Sequence, residues 1–410
     1  MIVRKDTTPS RALTEDDLLA YPEPGESGIP TLYINLERNI KPDRIQHGVY
    51  TKGSYTLIDP GNNQGIFDQP LQIKGRGNYS WSFPQKTFAL NLDEAANLLG
   101  MGAAKRWVLV TTYSDKTMLR NYITLNLAVK MGLPYSVEAK YVEVYFNGNY
   151  HGVYVLTEKI QLDPERVNVD PERGGLFEIE AQYRHGDCTY CIVCPSGCHI
   201  MFKEPEEDDI GREEKLARLK PFKQLFMKAD ISLTKGWDSY TNYIDVDSFI
   251  DWYIVNELVK NYDSGFTTSC YCYVSEDNKI HMGPCWDYDT CMGNQNVATC
   301  LNPEGYHVGE SPWYSILLKD KDFMKALKER WTQLKDEGVW DWYLALMDDS
   351  VEYLGDAEKR DHKQWRGCLG SNDLRGGLSY HTYREEVDYL KDWVTKRIAW
   401  LDRQWLIKNR

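Results

Sequence analysis

Two aspartates stand two residues apart in the stretch HMGPCWDYDTCMGN: Asp287 and Asp289, with Trp286 before them and Tyr288 between them. In an extended segment such residues point to one side, so the spacing predicts two carboxylates side by side. Like charges at that range repel unless a cation sits between them. Oxygen ligands of this kind suit Mg2+ or Mn2+, with substrate phosphates completing the shell. Paired carboxylates also serve glycoside hydrolases as acid and nucleophile. Gly283, Pro284 and Gly293 frame the stretch as a shaped metal-site loop over 283–293.

A third acid lies upstream in VNELVKNYDS. Glu257 and Asn261 are four apart and share a helical face. Asp263 falls just past the helix end, where the helix dipole favours cations rather than acids; a simple turn aspartate is the plain alternative. In KGRGNYSW, Gly75 and Gly77 allow the backbone to approach a bound group, and Lys74 and Arg76 add positive charge. The stretch half-matches G-x-G-x-x-G, with Ser80 in the last place, and a glycine turn between strands explains it equally. Lys86 enters the strand TFALNL, either as a point charge for phosphate oxygens or as a solvated edge lysine. Glu158 and Lys159, in LTEKI, either face a cleft or form an exposed ion pair of small worth.

The run CTYCIVCPSGCH places cysteines at 188, 191, 194 and 198. That C-x2-C-x2-C-x3-C spacing matches bacterial ferredoxins, but here the proline follows the third cysteine rather than the fourth, and no second set exists. A zinc site would lack two well-separated pairs. The stretch reads instead as a hairpin over 188–199. Tyr190, Ile192 and Cys194 share one face, Pro195-Ser196-Gly197 makes the turn, and Cys194 and Cys198 flank it. A disulfide between those two requires Cα atoms within roughly 7 Å. Cys270 and Cys272 alternate in SCYCYV as core or sheet-face residues.

The elements that must position these groups change character along the chain. The first 28 residues are polar and read as a flexible tail. Residues 29–205 read as β-rich. TFALNL puts Phe88, Leu90 and Leu92 on one face, and Asn147-Gly148 in YVEVYFNGNYHGVYVL suits a type I′ turn between two strands. One helix interrupts, with Leu119, Ile123 and Leu127 on a face and Gly132 as its stop. Residues 206–410 read as mainly helical. Ile250, Ile254 and Leu258 form one stripe, Phe323, Leu327, Trp331 and Leu334 a second, and Val387 to Trp405 a third. The fold class is therefore α+β, with the cleft between the halves as the place for a ligand. A net charge of −13 over 410 residues argues against a nucleic-acid polymer as partner. No run approaches the roughly 18 apolar residues of a membrane span, so no transmembrane segment is expected. The polar opening does not read as a signal peptide. Aromatic residues at 13% suit sugar stacking and keep a carbohydrate-active enzyme among the readings.

The ordered set IKGRGNYSW, PQKTFAL, SDKTMLRN, YVEVYFNGNYHGVYVLTEKI, GGLFEIE, NELVKNYDS and GPCWDYDTCMGN resembles the CotH family, spore-coat-type atypical protein kinases with many extracytoplasmic bacterial relatives. The resemblance runs from about Ile29 to the C-terminus. It implies a diverged two-lobed protein-kinase-like fold over 29–410 and ATP-dependent phosphorylation of Ser or Thr on a protein substrate. It gives Asp287 the metal-binding role, with Asp289 as a second ligand. It makes Asp263 the other acid, binding metal or assisting the attacking hydroxyl. Arg76 and Lys86 fall on the phosphate side beside the 75–80 loop with Ser80, and Glu158 lines the nucleotide site or pairs with a basic residue. ATP with Mg2+ or Mn2+ is the implied ligand set, and an extracytoplasmic or cell-surface location in a bacterium the implied setting. The cysteine run departs from the family pattern. A scaffold that keeps the fold without catalysis is the competing reading.

Overall fold

A computed structural model describes residues 8–21, 27–181, 188–365, 369–370 and 380–406. Eight strands come first: β1 (Arg11–Ala12), β2 (Thr31–Leu36), β3 (Thr51–Asp59), β4 (Gln64–Gly75), β5 (Phe88–Asn97), β6 (Ala103–Thr111), β7 (Ala139–Phe146) and β8 (Asn149–Glu158). The order β4-β3-β2-β7-β8-β6-β5, with β5 pairing back onto β4, closes seven of them into a barrel. Only β2–β7 among these pairs is parallel. The alternating inward residues, including Leu32, Ile73, Phe88, Leu90, Trp107 and Leu156, fill the barrel with side chains, as expected for a small barrel. The 146–149 connection is the two-residue turn that Asn147-Gly148 predicts. Both residues have positive φ, 48° and 75°, the geometry that matches strand twist in a type I′ hairpin.

A second sheet, in the order β10-β11-β9-β12-β13, is built from β9 (Gly175–Glu180), β10 (Cys191–Val193), β11 (His199–Glu204), β12 (Cys270–Val274) and β13 (Ile280–Met282). It draws strands from both expected halves, so position 205 is not a structural boundary. Phe177 and Phe202 on its face pack against Phe222 and Phe226 of the helix Arg212–Lys235.

Six long helices are named here: α1 (Arg120–Met131), α2 (Arg212–Lys235), α3 (Val246–Val259), α4 (Lys321–Asp336), α5 (Val339–Gln364) and α6 (Tyr383–Trp405). The periodic stripes read from sequence are their buried faces. Gly132, at φ 78°, ends α1 in the left-handed conformation that glycine adopts without steric cost. Glu257 of α3 and Arg397 of α6 form a fully buried ion pair at 2.6 Å. Glu257 also accepts the backbone N–H groups of His307, Val308 and Gly309, so it ties helices and loop together.

The expected tail is in part ordered. Arg11 and Ala12 pair with Gly65 and Gln64 of β4, and the Thr8 N–H donates to Ala95 O at 2.8 Å. The physical reason is that β5 pairs only with the far end of β4, over Leu71–Gly75. The near end would otherwise leave an open edge, which proteins tend to cover.

Beyond Gly355, where the backbone leaves helical geometry, α5 turns onto the barrel. Arg360 pairs with Glu143 at 2.9 Å, and the Asp361 carboxylate accepts the Val153 N–H at 2.7 Å. Gly152 makes room, because a Cβ there would collide with Asp361 Oδ1. Burial pushes the Asp361 carboxyl up to about 7, against the opposing pull of the Val153 N–H. The folded value lies above the unfolded one, so between about pH 4 and pH 7 the native state keeps a proton the unfolded chain has released. Stability therefore falls as pH rises through that window. Asp361→Asn keeps the acceptor oxygen and removes the ionisation. The variant is expected to gain about 2–4 kcal/mol over wild type at pH 8, at roughly 1.4 kcal/mol per pKa unit, and to match it near pH 4. Calorimetry at both pH values checks this; a gap independent of pH would exclude Asp361 as the titrating group.

Candidate active site

A cleft of about 520 Å3 opens between the barrel, the second sheet and the segment after α3. Its barrel side is the turn after β4. Gly75 lies under the Trp81 ring, where a Cβ would clash, and Gly77 has φ 92°, so both glycines are required by the turn. Arg76 is fixed by its N–H to Thr87 O at 3.1 Å. Its guanidinium lies 5.4 Å from the centroid of the Trp286 ring on the opposite side. Ser80 lines the cleft beside it.

The acidic side comes from two loops that Asn261 holds together. α3 ends at Lys260 in the left-handed conformation, and Asn261 caps the short turn Tyr262–Ser264 with its side-chain oxygen. The Asn261 side-chain amide also donates to the Asp287 carbonyl at 3.0 Å. The backbones of Asp263 and Asp287 are therefore joined through the Asn261 side chain. Asp287 has φ 68°, a conformation that Asp and Asn tolerate better than most residues. Ser269 donates to Asp287 Oδ2 at 3.2 Å, and Ser114 donates to Asp289 Oδ2 at 2.8 Å.

Asp287 and Asp289 are half-buried at the floor of the cleft. Burial, then the charge of Asp287, pushes Asp289 up to about 8. Burial also raises Asp287, opposed by Ser269 and by the positive charge of Arg76. The third wall belongs to the second sheet, with Glu178 and Glu180 on β9 and Met201 and Lys203 on β11. Lys203 pairs with Glu178 at 2.9 Å. Glu178 accepts the Ser269 N–H at 3.2 Å, and Glu180 accepts the Thr268 hydroxyl at 2.9 Å. Burial and the Glu178 charge push Glu180 up to about 7.

Residues 114–121 buckle this floor in place. Arg120, fully buried, pairs with Asp115 and donates to Cys291 O at 3.1 Å and Met292 O at 3.2 Å. Asn121 accepts the Tyr288 N–H at 2.8 Å, and Asn294 donates to the carbonyls of Ser114 and Asp289. SDKTMLRN and WDYDTCMGN are thus two halves of one construction.

Arg76, Ser80, Asp263, Asp287 and Asp289 share the cleft; Lys86 and Glu158 do not. Lys86 Nζ donates to the carbonyls of Trp81 and Phe83 at 2.8 and 3.2 Å, so its charge supports the glycine turn from behind. It faces a separate hollow with His151 and Trp365. Glu158 pairs with Arg166 and accepts the Glu138 N–H at 2.7 Å, in another cavity of about 430 Å3. Glu178, Glu180, Lys203, Ser114, Thr268 and Ser269 were not singled out from sequence. The alternation of Glu178 and Glu180 in GGLFEIE, two residues apart like the aspartates, was the available signal.

The cysteines of the hairpin at 188–199 divide between one bond and free thiols. The disulfide joins Cys188 to Cys191, while Cys194 and Cys198 are buried free thiols. Cys194 and Cys198 do stand opposite each other, but Cys194 N–H donates to Cys198 O at 2.9 Å. Cβ atoms stand farther apart in such hydrogen-bonded pairs than in the alternate ones, beyond a disulfide's preferred reach.

A family model described as CotH kinase protein matches residues 73–401. The chain belongs to the CotH family. The match takes in the glycine turn, both acidic loops, the 114–121 buckle and Arg397 of α6. No curated protein matches the chain. Among the described residues, no three His, Cys, Asp or Glu side chains cluster as an ion site of their own. An Mg2+-type ion needs only one or two carboxylates when phosphate oxygens and water complete its shell. Asp287 and Asp289, which line the floor of one cleft, fit that demand, since neighbouring carboxylates are eased by a proton or by a cation.

Proposed function

We propose that this CotH protein transfers the γ-phosphoryl group of ATP to a Ser or Thr hydroxyl of a protein substrate, with Mg2+ or Mn2+. The observation that carries this reading is the Asp287–Asp289 pair facing Arg76 across one cleft, with Asp263 on backbone linked to Asp287. Phosphoryl transfer asks a protein mainly for position and complementary charge. Asp287 and Asp289 would hold the divalent ion, which supplies charge neutralisation to the phosphates. Arg76 neutralises further phosphate charge, and Ser80 with the 76–79 backbone borders the same space. Asp263 orients the incoming hydroxyl. In this reading the barrel and the helices stand as the two lobes of a diverged kinase, and Lys86 acts by supporting the glycine turn.

A glycoside hydrolase using Asp287 and Asp289 is disfavoured. Such enzymes space their carboxyl groups by roughly 5 Å or more, with room for the sugar between them, whereas Asp287 acts on Asp289 as a close like charge and raises it. An extracytoplasmic or cell-surface location in a bacterium is part of the same proposal and is carried by the family membership.

The test is a thermal shift with ATP, with and without Mg2+ or Mn2+, on wild type and Asp287→Ala. Nucleotide at a hundredfold excess over Kd adds about 2.7 kcal/mol to the native state. A metal-dependent rise of a few degrees in wild type, absent in the variant, is the expected result. No rise at saturating nucleotide would make a non-catalytic scaffold the better reading.

A further inference from the structure

The cysteine run is the one sequence motif that the active site does not absorb. Among the described cysteines, seven are buried free thiols; Cys188 and Cys191 alone are half-exposed, with Thr189 exposed between them. Burial holds the Cys194 thiol well above its usual range and pushes Cys198 up to about 12, so neither is a ready nucleophile. A bond that closes only two intervening residues removes the least entropy from the unfolded chain of any common spacing. It also joins no separate elements, because both cysteines belong to the lead-in and first residue of β10.

The strand does not need the bond to stay in place. Cys191 is paired opposite Met201, and the Phe202 N–H donates to Tyr190 O at 2.9 Å. The Tyr190 hydroxyl donates to Glu207, and Lys215 lies 4.8 Å from the centre of its ring. These contacts hold Tyr190 and Cys191, and Cys188 lies only three residues back along the chain, so with the sulfur–sulfur bond opened it stays within reach of the 5.4 Å Cα separation from which a disulfide forms. Closure is then intramolecular and strongly favoured over pairing with another molecule.

We propose that Cys188 and Cys191 form a reversible dithiol–disulfide couple, an exchange site for dithiol reductants, at the edge of the sheet that walls the cleft. A thiolate of the dithiol attacks one sulfur, forming a mixed disulfide and releasing the other cysteine as thiolate. The second thiol of the reductant then displaces the remaining cysteine and leaves as a disulfide. Two electrons and two protons pass from the reductant to the chain, and oxidation by a disulfide reverses both steps.

The experiment blocks pre-existing thiols on the native protein with N-ethylmaleimide, adds excess dithiothreitol, labels new thiols with iodoacetamide and maps them by peptide mass spectrometry. The expected result is that Cys188 and Cys191 go from unlabelled to fully labelled and Cys194, Cys198 and Cys272 stay unlabelled. A parallel sample returned to oxidised glutathione without labelling should regain only the 188–191 bond. Resistance to native reduction, or reoxidation into pairs with Cys194 or Cys198, overturns the proposal. The double variant Cys188→Ser/Cys191→Ser is expected to fold with a melting temperature within a few degrees of wild type. A double variant that does not fold assigns the bond to structure and overturns it as well.

Discussion

Asp287→Asn and Asp263→Asn are each expected to lower phosphoryl transfer by about a thousandfold or more while the fold stays intact. Removing a single preorganised electrostatic group from a reacting centre costs on the order of 10²–10³ in rate, and a carboxylate that would also hold the cation under the proposed function stands at the upper end of that range. Asparagine is the informative replacement. At Asp287 it keeps an oxygen for the Ser269 hydroxyl and suits the positive φ better than other side chains do. Its loss of charge also relieves Asp289, whose raised value owes part of its shift to Asp287. Asp287→Asn should therefore be at least as stable as wild type when no divalent ion is present. At Asp263, the carbonyl that accepts the Thr267 N–H is untouched by the change. Transfer of labelled phosphate from ATP gives the first readout and thermal melting the second. Wild-type rates in both variants would remove these aspartates from the chemistry, and a collapse in stability would reassign them to the fold.

What was legible in the sequence follows the range of the forces involved. Asn147-Gly148, the Gly132 stop and the stripes of α3, α4 and α6 rest on interactions within a few residues, and the structure has them as read. Asp287 and Asp289 do line one cleft, but not by the alternation of an extended segment, since Asp287 takes a left-handed φ of 68°. Closure of the barrel was not legible, because it depends on β2 meeting β7 in parallel more than a hundred residues away. Lys86 shows the same limit at one side chain. Its position behind a glycine turn suggests phosphate, but the turn folds back and offers two carbonyls within 3.2 Å. Those carbonyls satisfy an ammonium at no cost in reach. For Glu158 the deciding partner, Arg166, arrives from a loop beyond β8. The cysteine pairing turned on which rungs of the hairpin ladder carry hydrogen bonds, a matter of register that spacing alone does not fix.

Arg120 tests whether the floor of the cleft depends on a side chain that touches none of the reacting groups. It is fully buried against Asp115, and its remaining N–H groups reach the carbonyls of Cys291 and Met292, just past the aspartate pair. Arg120→Met leaves Asp115 buried and charged with its main partner gone, and orphans two carbonyls. Such one-sided removal costs about 3–5 kcal/mol, measurable by urea unfolding. Arg120→Lys should recover only part, because an ammonium cannot span a carboxylate and two diverging carbonyls as a guanidinium does. Asp115→Asn leaves the fully buried Arg120 guanidinium without its carboxylate and should cost a comparable amount, while the Thr117 and backbone N–H donors that Asp115 keeps place Arg120→Met toward the lower end of that range. The double variant Asp115→Asn/Arg120→Met removes both charges and should be more stable than the sum of the single losses implies, with a coupling of about 1–3 kcal/mol. Full additivity would mean that the pair does not act as a unit. The loop it holds carries Asp289, so phosphoryl transfer measured at a temperature where Arg120→Met is still folded should also fall. A variant that loses stability but keeps the wild-type rate would show that Ser114, Asn121 and Asn294 suffice to seat the aspartates.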